Sequence, residues 1–287
     1  MFSLTVILAA LYLRGWPRPV EAKRSAWPDV LRLLRRQACE PHQAASVLRG
    51  AGLWAEALVL ESPGLLDWAA KNVEEGRVLS VVEADYPARW PRVLGSGAPP
   101  VLWKAGSLSA LPSLSIVGSR MVPCSVDRFC YRVAKEAACL GFAVVSGRAE
   151  GCDRAAARGA LSENGALIEI LPHGIDLARP PATGCYLSVC APGEPFSAAT
   201  AMERNALIYA ASPHTVVGQA RFKEGGAWHG AVHAARSRLS TLIIRRSDDI
   251  AMRSLAALGG VWLASPSDLA LALKSSGRQR LLFESAV

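Results

Sequence analysis

Over the first 76 positions apolar residues recur at intervals of three and four, the spacing that gathers them on one face of a helix. With the turn signals between them, they predict helices over 3–13, 28–37, about 42–50, 53–60 and, after Pro63-Gly64, 65–76. The pattern changes at 77. Residues 77–110 carry short apolar runs broken by prolines and are predicted to form an extended arm laid on the domain that follows. From 114 onward the apolar runs are four to six residues long without polar alternation, as expected of strands buried on both faces. They predict strands at 114–118, 142–146, 167–171, 186–189, 214–219, 240–245 and 261–264. Helical periodicity fills 125–140, 152–163, 200–211, 227–237, 249–258 and 266–275. Strands alternating with helices predict an α/β fold, a mostly parallel sheet flanked by helices. The predicted organisation is a helical domain at 1–76, the sheet domain at 77–277 and a tail at 278–287 that lacks a packing signal.

Composition narrows the class. Apolar residues make up 51% and charged residues 20%, which suits a folded protein rather than a disordered chain. The net charge of +8 favours a polyanionic partner such as nucleic acid, beside the plainer reading of an Arg-rich surface. Seven cysteines form no Cys-x-x-Cys pair and several fall in apolar patterns, so free thiols in a reducing cytoplasm are expected, with no metal site. Met1 to Leu13 is apolar, but it has no basic leader and no small-residue cleavage site, and it is too short to span a membrane. It reads as a core-facing helix of the first domain.

Four segments carry candidate chemistry. The run Leu114 to Val117 ends in Gly118-Ser119-Arg120 ahead of a helix, a strand-to-helix turn whose unpaired amides and cation suit an anion. The next strand ends in Ser146-Gly147-Arg148-Ala149-Glu150-Gly151-Cys152-Asp153. Gly147 and Gly151 would let backbone approach a ligand, or would serve turn geometry alone. Asp153 reads as a cap or first-turn residue. In the third segment Arg204 and Asn205 open an apolar helix and could grip phosphate and base, or could bond loop carbonyls and fix a turn. The fourth, Arg221-Phe222-Lys223-Glu224-Gly225-Gly226, again precedes a helix, with Lys223 either an anion contact or a solvated loop charge. His229 and His233 have zinc-compatible spacing but no third ligand, so they read as ordinary helix residues.

In their order along the chain, Asp85-Tyr86-Pro87, Ile116 to Arg120, Ser146 to Asp153, Ala155 to Leu161, Arg204 to Ser212 and Gly225 to Ala231 resemble the DprA/Smf DNA-processing proteins over roughly 80–275. The resemblance implies a Rossmann-like sheet domain that binds single-stranded DNA without sequence preference, protects incoming DNA and loads a RecA-type recombinase in natural transformation. It further implies a cytoplasmic protein, a homodimer, no cofactor, no catalysis and no membrane association. The DNA contacts it implies are Gly118, Ser119, Arg120, Ser146, Gly147, Arg148, Gly151, Arg204, Asn205, Lys223, Gly225 and Gly226. The chain departs from the family pattern at Arg148, where Leu is usual, at Ala157, where His is usual, and at Ala206, where a second Arg is usual. A C-terminal winged-helix-like domain is not expected, which leaves the dimer surface and recombinase loading open. The rival readings are a nucleotide-binding sensor and a nucleoside-monophosphate phosphoribohydrolase of the lonely-guy type. The latter needs a carboxylate after Gly225-Gly226, and residues 227–238 contain none.

Overall fold

A computed structural model of the chain describes residues 2–15, 27–175 and 184–275. The predicted tail at 278–287 lies outside the described residues. The chain divides into two compact units, one formed by Met1–Ala105 with His173–Pro180 and Leu187–Phe196, the other by Gly106–Pro172, Pro181–Tyr186 and Ser197–Val287.

The first unit is built on α1 (Phe2–Tyr12), in which every residue from Thr5 to Leu11 is buried. A helix apolar all round has to be enclosed, and α1 is the hub on which its neighbours pack. These are α2 (Trp27–Arg36), α4 (Trp54–Leu60) and α5 (Leu65–Glu74), while α3 (Ala44–Gly50) packs on α2 and α4. α2 is two-faced, burying Trp27, Val30, Leu31 and Leu34 and leaving its arginines in solvent. Residues 77–110 are more regular than the predicted arm. They hold β1 (Val78–Ser80), α6 (Arg89–Leu94) and β2 (Val101–Gly106), with β1 and β2 paired antiparallel through Leu79 and Leu102. Prolines hid this, because Pro87 and Pro91 read as breakers. In the structure α6 instead buries Trp90, whose ring meets Tyr86 edge-on at 5.5 Å.

The second unit alternates β3 (Ser113–Val117), α7 (Cys124–Cys139), β4 (Ala143–Ser146), α8 (Cys152–Ser162), β5 (Leu167–Leu171), β6 (Cys185–Ser188), α9 (Ala198–Ala211), β7 (His214–Val217), α10 (Gly225–Arg236), β8 (Thr241–Arg245), α11 (Ile250–Ala257) and β9 (Val261–Leu263). The strand order is β6-β5-β4-β3-β7-β8-β9, and every pairing from β5 to β9 is parallel. Leu114, Ile116, Val144, Val216 and Ile243 join Val133 and Ala137 of α7 in one fully enclosed core. Inside the sheet, the Ser115 hydroxyl donates to the Ile208 carbonyl at 2.6 Å and so ties β3 to α9.

Chain order reverses at β3. The segments after it build outward to β4 and β5, then return on its other side as β7 and β8. In open parallel sheets such a reversal leaves a crevice at the carboxyl ends of the strands, where ligands bind. The loops after β3, β4 and β7 are those that carry the predicted Gly118, Gly147 and Gly225 segments. Among the described residues no helix is long and apolar enough to cross a membrane.

Candidate nucleic-acid interface

The three loops are bonded to one another. The Ser119 amide donates to the Gln219 carbonyl at 2.9 Å, and the Cys152 amide donates to the Ser119 carbonyl at 3.2 Å. Gly118 is required by packing, since a Cβ there would lie 2.4 Å from the Cys152 Sγ. Gly151, at φ +73°, sits under the same loop, and its missing Cβ would come within 2.3 Å of the Ser119 carbonyl oxygen. The protein's own backbone therefore accounts for this glycine, rather than the approach of a ligand. Arg120 stands exposed at the tip.

Three of the predicted contact residues are interior groups. Ser146 is fully buried, and its hydroxyl donates to the Ile116 carbonyl at 3.0 Å. Gly147 is buried beneath Arg204, whose Nη1 occupies the place a Cβ would take. Arg204 is 3% exposed and donates through Nη1 to the Ile170 carbonyl at 3.2 Å, so the loop-carbonyl reading describes what it does here. Burial lowers its pKa, and Asp153 opposes that shift.

Asp153 is the counter-charge. It is not the helix cap, because Gly151 holds that position; it is the second residue of α8, and its Oδ2 accepts from the Ala149 amide at 3.3 Å. Desolvation pushes its carboxyl up to about 6. Arg204, the amides of Ala149 and Gly147, and Arg120 pull the other way. The carboxylate thus holds the 147–150 loop through the Ala149 amide while facing the buried Arg204 charge.

Arg148 has partners in the fold as well as solvent. At φ +58° it turns its guanidinium over the Tyr186 ring, 4.6 Å from the centroid, with Nε 3.8 Å from the Glu169 Oε2. Burial raises the Glu169 carboxyl, and Arg148 counters it. The Arg148 side chain remains half exposed, so its charge still faces solvent.

In the fourth segment Lys223 is exposed at φ +59°, its ammonium 5.2 Å from the centre of the Phe222 ring. Phe222 in turn meets Trp228 edge-on at 4.9 Å, and Trp228 is buried. Asn205 reaches this segment, its Nδ2 3.0 Å from where a Gly226 Cβ would stand. α10 opens at Gly225 with Glu224 as its N-cap. A carboxylate therefore stands one residue before the two glycines, outside the stretch counted as acid-free.

The sequence pattern of DNA recombination-mediator protein A matches residues 77–249, more than half of the chain. The chain belongs to this family. A protein Smf of Synechocystis is 34% identical over 100 residues, which are 32% of this chain and 25% of that protein, so the match spans about a quarter of the curated relative's length. The DNA processing protein A of Streptococcus pneumoniae has the same fold, with a TM-score of 0.72 at 18% identity over 94% of this chain and 96% of that one. The DNA processing protein A of Helicobacter pylori, whose structure was reported for its single-stranded DNA binding mode, gives a TM-score of 0.59 at 20% identity over 69% and 97%.

Within this recombination-mediator fold the structure brings Gly118, Ser119, Arg120, Gly151, Asn205, Gly225 and Gly226 to one edge, with Arg148 and Lys223 as further exposed cations. It withdraws Ser146, Gly147 and Arg204 into the support beneath. Sequence reasoning missed Glu169 and Tyr186. A lone acid inside the apolar run Leu167-Ile168-Glu169-Ile170-Leu171 was a readable signal, because a buried carboxylate needs a partner. Tyr186 gave none.

Proposed function

We propose that the chain binds single-stranded DNA through its phosphodiester backbone and acts as a recombination mediator without cleaving its ligand. The observation that carries this reading is the convergence of three bonded loops at the point where the strand order reverses, with exposed Arg120, Arg148 and Lys223 around them in a chain of net charge +8. Loop amides and guanidinium forks suit phosphate oxygens. The exposed edge is poor in aromatic rings, since Trp228 is covered, so phosphate contacts rather than base stacking set affinity. The sheet domain, 77–277, is the DNA-binding part. Protection of incoming DNA in natural transformation, loading of a RecA-type recombinase, assembly with a second copy and a cytoplasmic location complete the proposal.

Anisotropy titrations with single- and double-stranded oligonucleotides test it. Binding that prefers single strands and weakens as salt rises is expected, and binding to duplex alone, or to neither at low salt, overturns it. Arg120→Ala should weaken all sequences alike, by about tenfold, and lower the log–log salt slope by about 0.7, one single-strand phosphate contact. An unchanged slope would return Arg120 to a structural role.

Arg148→Leu should cost less, about 1 kcal/mol of binding, because Glu169 already neutralises part of that charge. Ala206→Arg in the Arg148→Leu background should recover much of the loss. If Arg148→Leu leaves affinity untouched, Arg148 serves only Glu169 and Tyr186.

A further inference from the structure

The amphipathic helix α2 presents a groove of about 330 Å³ lined by Trp27, Pro28, Leu31, Arg32, Arg35 and Arg36. Three arginines at i, i+3 and i+4 share one helical face, where neighbouring Cβ atoms are about 5–6 Å apart. All three are exposed. The acid available to them is Asp29, 3.1 Å from Arg32, and both members of that pair are more than half exposed. A solvated pair of this kind contributes little and exchanges partners readily. Arg35 and Arg36 have no ion pair among the described residues.

Two of these arginines lie in the last turn, where any cation offsets the helix dipole. That role does not explain the groove, whose apolar wall includes Trp27, 8% exposed with its Nε1 closed to solvent.

A rim of three guanidinium forks, donors that accept nothing, recognises oxyanions. The apolar walls of Pro28 and Leu31 beside it suit the sugar and base flanking a phosphate better than a carboxylate on an acidic peptide. We infer that α2 is a second nucleic-acid site, on the first unit, which grips the backbone of single-stranded DNA. This rests on the reading that the chain binds DNA, and it gives the helical unit a part in that binding.

The test uses the full chain and a fluorescent oligothymidylate of about 30 nucleotides, longer than a single-groove site. Arg35→Ala/Arg36→Ala, both surface changes, should keep the melting temperature. They should weaken binding by about tenfold and lower the salt slope by about 1.4, two single-strand phosphate contacts. Arg35→Lys/Arg36→Lys should restore most of the slope. If the double-alanine variant binds with wild-type affinity and slope, the inference is overturned, and Arg120→Ala then reports separately on the sheet edge. A loss in the α2 variant with none in Arg120→Ala would uphold α2 and remove the sheet-edge site.

Discussion

Arg204→Ala is expected to destabilise the protein by about 3–5 kcal/mol near pH 8, because it strands the buried Asp153 carboxylate without its nearest counter-charge. The effect should depend on pH. In the wild-type protein the Asp153 carboxyl is raised by desolvation to about 6, with Arg204 foremost among the groups that hold it down. Its unfolded value is about 3.9, so the folded protein takes up the proton first and the stability this confers is lost as pH rises from about 4 through 6. Removing Arg204 lifts the folded value further and extends that loss to higher pH. The penalty relative to wild type should be largest above pH 6 and should shrink below about pH 4, where Asp153 is neutral in both states and only packing is missing. Urea unfolding of both proteins across this range measures it. Asp153→Asn in the same background should recover part of the loss at high pH. Equal penalties at both ends of the range would mean that Arg204 acts through the Ile170 carbonyl alone.

Gly151→Ala should be nearly as damaging, at about 2–4 kcal/mol, for a reason separable from backbone conformation. Gly151 at φ +73° and Gly225 at φ +70° both have positive φ, and Gly151, with ψ −123°, lies outside the left-handed helical region as well. A Cβ at Gly225 meets nothing within 4 Å, whereas one at Gly151 lies 2.3 Å from the Ser119 oxygen and 2.5 Å from that of Arg120. Gly225→Ala therefore costs only the left-handed backbone, about 1–2 kcal/mol. Gly151→Ala must in addition push back a main chain that is pinned to Gln219. Because that main chain carries Arg120, Gly151→Ala should also weaken single-stranded DNA binding, while Gly225→Ala should leave the Arg120 contribution intact. Thermal melts and anisotropy on the two variants decide the matter. Equal stability losses would remove the crowding argument.

Both predictions depend on groups whose type was visible in the sequence and whose roles were not. Chain order and hydrophobic period determined the α/β class, the seven strands after residue 113, the helices between them and the enclosed first helix, because those periods record which face of each element is buried. They also marked the strand-to-helix turns that the fold gathers at one edge, since small residues there announce themselves locally. Two prolines concealed β1, α6 and β2, because pairing and the burial of Trp90 outweighed local breakers.

Tertiary structure alone decided which cations face outward. Arg120 and Arg204 look alike in sequence, each beside a polar residue in a candidate binding segment, yet Arg204 lies in the middle of α9 rather than opening it. Arg120 is exposed, whereas Arg204 turns inward onto Asp153 and Ile170, residues 51 and 34 positions away by sequence number. Arg148 stands between the two, half exposed yet leaning on Glu169 and Tyr186, which only adjacent strand ends bring within reach. Whether a cation faces outward or inward depends on what the fold packs around it, and Coulomb energies fall too fast with distance for sequence spacing to stand in for that.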